Sequence, residues 1–171
     1  MWNMISFMGE PVLWVGISIL LVLMYAFPRT FLWKGKKRGP RRRKFKKFLF
    51  VFLISLYLTL GIIQAGKAVF DVPRPCIVCP AEGCNPYCLP DSTFPSGHSA
   101  TVFVFFSSLA IMFRKKWTVP LFIIPVLVAA SRVFLGVHYT YDVLVGSLVG
   151  LMVPFVVMEA IKHIRSRQAG I

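Results

Sequence analysis

The sequence predicts an all-α integral membrane protein, and its composition and hydropathy both support this fold class. Of the 171 residues, 57% are hydrophobic and the mean hydropathy is +0.71, whereas soluble domains are about 45–50% apolar. Five apolar runs approach the roughly 17–25 residues that cross a hydrocarbon core of about 30 Å. They cover residues 11–27, 48–66, 97–113, 118–134 and 143–161. The predicted fold is therefore a bundle of about five transmembrane helices.

The positions of the Lys and Arg residues predict the topology of this bundle. Eleven of the 20 lie between Arg29 and Lys47, three occupy residues 114–116, and three follow the last apolar run. Because loops rich in basic residues stay in the cytoplasm, this alternation predicts an N-terminus outside and a cytoplasmic C-terminus. The three remaining cations, Lys67, Arg74 and Arg132, then fall on the outer side.

The first apolar run is expected to remain as a helix of a single domain. No cation precedes it, since the first is Arg29, and a cleaved signal peptide normally begins with a basic region. The sequence contains no internal repeat and is too short for two independent domains. We therefore expect one membrane-embedded domain over residues 1–171.

The basic segment 28–47 has two possible interpretations. A run rich in Lys and Arg can bind nucleic acid. Next to a membrane span, it also sets the topology and attracts anionic lipid head groups, with about 1 kcal/mol for each basic residue near the surface. We favour the second interpretation, which predicts a cytoplasmic loop, contact with anionic lipids and no nucleic-acid partner.

The predicted outer loop, residues 67–95, contains all four cysteines. They are Cys76, Cys79, Cys84 and Cys88. An outer loop lies in an oxidising compartment, which favours one or two disulfides. A zinc site and free thiols are the alternatives, and the pairing cannot be read from the sequence because four cysteines allow three connectivities.

A small polar set at the outer ends of the predicted helices is not explained by topology. It comprises Lys67, Asp71, Arg74, Ser96, His98, Ser131, Arg132, His138 and Asp142. Ionisable groups at membrane depth are costly unless they are paired or face a polar interior. Three cations with only two nearby acids suggest that an anion completes the site.

Local patterns within this set are compatible with phosphate binding and acid–base chemistry. Ser96 and Gly97 open the third apolar run, where free amides and the positive helix end favour a phosphate. His138 and Asp142 are four residues apart, so on one helix they share a face and can hydrogen-bond. Each pattern also has an ordinary structural explanation: a helix start, an interfacial His–Asp pair, and a Lys67–Asp71 ion pair with Arg74 solvated.

Taken together, three gapped motifs resemble the type 2 phosphatidic acid phosphatase family of membrane lipid phosphatases, which is related to acid phosphatases and haloperoxidases. The family pattern is K-x6-R-P, P-S-G-H and S-R-x5-H-x3-D. Here these motifs are Lys67–Arg74–Pro75, Pro95–Ser96–Gly97–His98, and Ser131–Arg132–His138–Asp142. They span residues 67–142, so the first predicted helix and the basic loop lie outside the resemblance.

The resemblance implies a role for each matched residue. His138 would attack phosphorus and form a phosphohistidine, with Asp142 orienting it, and His98 would protonate the leaving oxygen and later activate water. Phosphate would be held by Lys67, Arg74, Ser96, Gly97, Ser131 and Arg132. The family's chemistry needs no metal or cofactor, and three cations already supply positive charge in this sequence.

The implied function is hydrolysis of a lipid phosphate or diphosphate on the periplasmic or extracellular face of the cell membrane. Substrates of the family include lipid A 1-phosphate, polyprenyl diphosphates, phosphatidylglycerol phosphate and phosphatidate, among which the sequence does not choose. The outer cysteine loop follows Arg74 directly and could cap the opening to such a site. A lipid phosphotransferase and a non-hydrolytic phospholipid binder or transporter are the alternatives, and the oligomeric state is open.

Overall fold

The computed structural model describes residues 2–26, 38–78, 88, 90–113 and 116–169, and these residues form helices joined by short connections. The helices are α1 (Trp2–Phe7), α2 (Pro11–Ala26), α3 (Arg38–Phe70), α4 (Pro75–Val78), α5 (Gly97–Phe113), α6 (Ile123–Phe134) and α7 (Thr140–Ala169). Two short 3₁₀ turns, Lys116–Thr118 and Pro120–Phe122, lead into α6. The described part of the chain contains no strand, which confirms the all-α prediction.

Three helical segments of the described chain are long and apolar enough to cross a membrane. They are Gly39–Val78, Lys116–Phe134 and Thr140–Gln168, and two shorter apolar helices cover Pro11–Ala26 and Gly97–Phe113. An integral membrane bundle is thus confirmed. The count of five spans and the orientation of the termini stay predictions.

Several boundaries differ from those predicted. Helix α3 begins at Arg38 rather than at residue 48, so the second half of the expected basic loop 28–47 is helical. Lys and Arg are good helix formers, and their long side chains lose little rotamer freedom in a helix, so the basic segment can extend the apolar one. Helix α7 continues past residue 161 to Ala169, and the short α1 was not predicted. Residues 27–37 lie outside the described part of the chain.

Two residues with positive φ end helices next to the polar set. Asp71 (φ 39°) follows α3, and with Pro73 two residues later the helix stops before Arg74. Asp is one of the few side chains that adopt the left-handed region at moderate cost. Gly136 (φ 67°) provides the turn between Arg132 and His138.

Helix α5 lies at the centre of the bundle, packed against α3, α6 and α7. Two glycines four residues apart on α7 allow the closest approach, because a Cβ at Gly146 would lie 2.4 Å from the carbonyl oxygen of Ser96 and one at Gly150 would lie 2.3 Å from that of Ala100. Small residues at this spacing let two membrane helices approach closely. The glycines therefore fix the start of α5 against the start of α7.

On its other side, α5 joins an aromatic core. Phe105 contacts the rings of Trp14 on α2 and of Phe48 and Phe52 on α3, with centroids 4.9, 6.0 and 5.5 Å apart. Aromatic pairs at such separations contribute roughly 0.5–1.5 kcal/mol beyond burial of their area. The core holds α2, α3 and α5 together on the side of α5 away from the α7 glycines.

Candidate active site

Lys67 and Arg74 converge on a carboxylate that follows the cysteine loop. Lys67, in the last turn of α3, donates to Asp91 Oδ2. Arg74 donates to Asp91 Oδ1 from Nη2 at 2.6 Å and from Nε at 3.1 Å. The alternative that paired Lys67 with Asp71 and left Arg74 solvated is therefore wrong, since Arg74 is only 2% exposed.

Asp91 remains ionised in this arrangement. Partial burial raises its pKa, but the hydrogen bonds from Lys67 and Arg74 outweigh burial, so the pKa lies below its ordinary value. The carboxylate thus draws two cations of the polar set toward each other. They meet at Asp91 although α3 ends at Phe70, before Arg74.

The two ring nitrogens of His138 face different groups. Nδ1 lies 2.9 Å from the hydroxyl of Thr93 and 3.5 Å from Asp142 Oδ2, whereas Nε2 lies 3.4 Å from Nη1 of Arg74. The same Arg74 nitrogen donates to the carbonyl oxygen of Val137 at 3.1 Å. Arg74 is thereby held against the histidine.

Thr93 connects His138 to Asp142. Its hydroxyl donates to Asp142 Oδ2 at 2.6 Å, so it accepts the proton of His138 Nδ1. The same carboxylate oxygen accepts the backbone N–H of Tyr139 at 2.8 Å, which fixes it at the start of α7. This assignment of hydrogens leaves the lone pair of the neutral imidazole on Nε2, pointing at Arg74.

His138 is uncharged near neutral pH. Burial lowers its pKa to about 4, and the positive charges of Arg74 and Arg132 act in the same direction. The hydrogen bond with Asp142 and the negative charge of that carboxylate oppose the shift. A neutral imidazole has a free electron pair, which a nucleophile needs. The site therefore favours the nucleophilic form of His138.

The start of α5 is tied to the start of α7. The backbone N–H of Ser96 donates to the carbonyl oxygen of Asp142 at 3.0 Å, and Ser99 Oγ donates to Ser96 Oγ at 3.2 Å. Gly97 is buried as the first residue of α5. The amide of Ser96 thus serves as a link between the two helices.

His98, in the first turn of α5, lies beside a carboxylate from the N-terminal segment. Its Nε2 is 3.2 Å from Oε1 of Glu10, a residue between α1 and α2. The hydrogen bond from His98 lowers the pKa of Glu10, and the charge of Arg132 adds to this effect, although partial burial opposes it. Glu10 is thus a carboxylate in contact with the predicted acid–base histidine.

Ser131 and Arg132 lie near the end of α6 and are both buried. Ser131 Oγ donates to the carbonyl oxygen of Val128 at 2.6 Å, so its hydroxyl stabilises its own helix. The charge of Arg132 acts on Glu10 and on both predicted catalytic histidines, so the guanidinium lies within electrostatic range of each of them. The structure thus brings the three cations and two histidines of the sequence prediction into one cluster.

The cysteine loop is closed by a disulfide between Cys76 and Cys88, which confirms the predicted oxidation. A zinc site formed by all four cysteines is thereby wrong, because two of the thiols are bonded to each other. Cys79 and Cys84 lie outside the described residues. Within the described chain, no group of three or more His, Cys, Asp or Glu residues is arranged to hold a metal ion.

Three functional candidates were missed from the sequence: Glu10, Asp91 and Thr93. Glu10 and Asp91 carried a weak signal, since both are acids on the predicted outer side of a chain with only six acidic residues. Thr93 carried no signal, because a lone hydroxyl in a loop has many structural uses. Each joins the site through a contact between segments distant in sequence.

Comparison with known proteins gives relatives in sequence and in structure. An undecaprenyl-diphosphatase of Sulfolobus acidocaldarius is 29% identical over 153 residues, which cover 88% of this chain and 65% of that protein. The chain thus spans slightly less than two thirds of the length of this relative.

Two solved structures share the fold. Aquifex aeolicus LpxE aligns with a TM-score of 0.64 at 24% identity, covering 92% of this chain and 83% of that one. A PAP2 type phosphatidylglycerolphosphate phosphatase from Bacillus subtilis aligns with a TM-score of 0.63 at 23% identity, covering 95% and 76%. The family model described as the PAP2 superfamily matches residues 46–165, and the chain therefore belongs to that superfamily.

Proposed function

We propose that the chain is a membrane lipid phosphatase that hydrolyses a lipid phosphate or diphosphate through a phosphohistidine. The observation that carries the proposal is the environment of His138: Nδ1 is held by Thr93 and Asp142, while Nε2 faces Nη1 of Arg74 at 3.4 Å. A phosphoryl oxygen on Arg74 would thus bring phosphorus next to the free electron pair. Holding a nucleophile by one nitrogen while the other attacks is the arrangement that histidine catalysis needs.

In the first step, His138 Nε2 forms a bond to phosphorus as the bond to the leaving oxygen breaks, and His98 gives that oxygen a proton. In the second step, water attacks the phosphohistidine, His98 takes a proton from the water, and the N–P bond breaks. The products are inorganic phosphate and the lipid alcohol, or inorganic phosphate and the lipid monophosphate when the substrate is a diphosphate. Lys67, Arg74 and Arg132 neutralise the charge that develops on the phosphoryl oxygens.

Ser96, Gly97 and Ser131 complete the proposed phosphate cradle. Ser96 and Gly97 contribute a hydroxyl and an amide at the start of α5, where the helix dipole favours an anion. Ser131 acts indirectly, because its hydroxyl is bonded to Val128 and supports the helix that presents Arg132. Asp91 aligns Lys67 and Arg74, so we expect it to orient the cations for the substrate.

The proposed substrate class follows from the position of the site. The cluster lies where α3 and α6 end and where α5 and α7 begin, at one end of the bundle, so a phosphate head group can reach it while the lipid tail stays in the bilayer. The name of the Sulfolobus relative makes a polyprenyl diphosphate the first substrate to test. Phosphatidate, phosphatidylglycerol phosphate and lipid A 1-phosphate complete the panel.

We further propose five spans with the site facing the periplasm or the exterior and the protein in the cell (inner) membrane. The basic start of α3 and the basic end of α7 lie at the end of the bundle opposite the site. The rule that basic ends stay in the cytoplasm supports this orientation, with the basic residues next to anionic lipids. Labelling of an added cysteine before α2 or after α7 by a membrane-impermeant reagent in intact cells tests it.

The experiment that tests the function measures phosphate release from the lipid panel by purified protein in detergent, with EDTA present. We expect turnover of at least one lipid, and a loss of more than about a thousandfold in His138→Ala, because removal of a nucleophile eliminates the covalent route. Equal rates for the two proteins would refute the nucleophile. Loss of wild-type activity on chelation would refute the metal-free mechanism, and transfer of phosphate to another acceptor would indicate a phosphotransferase.

A further inference from the structure

The corner between α1 and α2 is fixed onto the start of α5 by directed contacts. The indole N–H of Trp14 donates to the carbonyl oxygen of Met8 at 2.8 Å, and Thr101 Oγ1 on α5 donates to that of Gly9 at 3.0 Å. The backbone N–H of Glu10 donates to the carbonyl oxygen of Phe7 at 3.1 Å. This corner, residues 8–10, precedes the part of the chain that matches the family model, which begins at residue 46.

Gly9 makes the contact unusually close. A Cβ at this position would lie 2.7 Å from Cγ1 of Val128 on α6 and 2.9 Å from Cβ of His98 on α5. Real Cβ atoms do not approach carbon atoms so closely, so the backbone of the corner can sit here only with glycine. The next residue, Glu10, is thereby carried to the imidazole of His98, at 3.2 Å from Nε2.

The contact also defines which nitrogen of His98 carries a proton. An ionised carboxylate only accepts hydrogen bonds, so Nε2 of His98 must be the donor. Nδ1 is then the nitrogen left for proton transfer. His138 is held in the opposite sense, with its proton on Nδ1 bonded to Thr93 and the lone pair of Nε2 facing Arg74.

We propose that Glu10 is a positioning residue for His98, which it orients and whose Nε2 proton it holds. This inference rests on the proposed phosphatase function for its kinetic consequence. In the first step, the charged His98 gives its Nδ1 proton to the leaving oxygen. Its Nε2 proton stays on the imidazole, hydrogen-bonded to Glu10. In the second step, Nδ1 receives the proton from water as the bond between water oxygen and phosphorus forms and the bond between His138 Nε2 and phosphorus breaks.

The charged groups around His98 explain why a carboxylate is needed there. Arg132, at the end of α6, and Arg74, before α4, both place positive charge near the imidazole. The carboxylate of Glu10 is the negative charge in direct contact with it. A general acid must carry its proton at the working pH, and a nearby negative charge favours that state.

The kinetic test compares wild type, Glu10→Gln and the control Glu159→Gln, which alters an exposed carboxylate paired with Lys162 far along α7. The substrates are phosphatidate, whose alkoxide leaving group needs a proton, and p-nitrophenyl phosphate, whose leaving group needs little help. For Glu10→Gln we expect kcat on phosphatidate to fall about ten- to one-hundredfold, a smaller loss on p-nitrophenyl phosphate, and an alkaline limb of the rate profile at lower pH. The control should match wild type.

A second measurement does not depend on turnover. The chain has three histidines, so nitrogen-15 NMR of the labelled protein, with His98→Asn to assign the signal, can identify the protonated ring nitrogen of His98. For the neutral imidazole, we expect the proton on Nε2 in wild type and a mixture of tautomers in Glu10→Gln, because an amide both donates and accepts.

The outcomes separate the two proposals. Absence of wild-type phosphate release would refute the function but leave the tautomer comparison decisive for Glu10. An unchanged tautomer in Glu10→Gln would overturn the positioning role, as would equal losses on the two substrates. A faster Glu10→Gln enzyme would also overturn it, since Glu10 would then compete with the substrate. Thermal unfolding of each variant excludes a general loss of folding.

Discussion

Removal of the Thr93 hydroxyl isolates the link between His138 and Asp142. Thr93→Val keeps the shape of the side chain but removes the group that donates to Asp142 Oδ2 at 2.6 Å and lies 2.9 Å from His138 Nδ1. Thr93 is fully buried, so water cannot easily replace the hydroxyl. A hydrogen bond to a charged partner contributes about 1.5–3 kcal/mol.

If that energy keeps His138 in its attacking orientation, kcat should fall about ten- to one-hundredfold, since roughly 1.4 kcal/mol corresponds to a factor of ten. KM should change little, because Thr93 contacts the histidine and the aspartate rather than the cations proposed to hold phosphate. The assay is initial-rate phosphate release from the best lipid substrate in detergent.

Thr59→Val provides a matched control. Thr59 is also fully buried, on α3, but its hydroxyl has no hydrogen-bond partner among the described residues. The same substitution there should leave kcat unchanged and stability unchanged or higher, because an unpaired buried hydroxyl is unfavourable. If Thr93→Val and Thr59→Val have the same kcat, the reasoning about the Thr93 link is wrong.

Three further predictions concern packing, pH and oxidation. Gly146→Ala should unfold at lower temperature than wild type, because its Cβ would lie 2.4 Å from a backbone carbonyl of a neighbouring segment, whereas Gly61→Ala, in open space on α3, should be neutral or stabilising. The lowered pKa of Asp91 stabilises the fold above its ordinary pKa of 3.8, and this is lost as pH falls through the lower folded-state pKa. The unfolding temperature of wild type should therefore be higher than that of Asp91→Asn at neutral pH, and this difference should disappear in acid. A difference that stays constant with pH would contradict this prediction. Reduction of the Cys76–Cys88 disulfide, which closes a 12-residue separation, should cost about 3 kcal/mol of stability, and Cys76→Ser should not respond to reductant.

Much of the fold followed from the sequence because membrane helices depend on local composition. A run of apolar residues must form a helix in lipid, since every backbone polar group has to be bonded within the segment. Boundaries were harder to predict. The basic residues from Arg38 onward continue α3 because they too favour helix, and charge alone does not mark where a helix starts.

Part of the proposed site could also be predicted from the sequence, for a related physical reason. Charged groups at membrane depth are costly, so Lys67, Arg74, Arg132, His138 and Asp142 stood out from their apolar surroundings. The spacing of His138 and Asp142 predicted their proximity through the geometry of one helix start. Such inferences need only neighbours in sequence and the cost of burying charge.

The composition and three motifs by themselves determined that this chain is a membrane bundle of the PAP2 superfamily with a cluster of cations and histidines. Only the tertiary structure decided what holds each of these groups: Asp91 on Lys67 and Arg74, Thr93 between His138 and Asp142, and Glu10 on His98. Glu10 and His98 are 88 residues apart in sequence. Contacts of this kind depend on how separate helices dock, for which the pattern of residues along one helix holds no information.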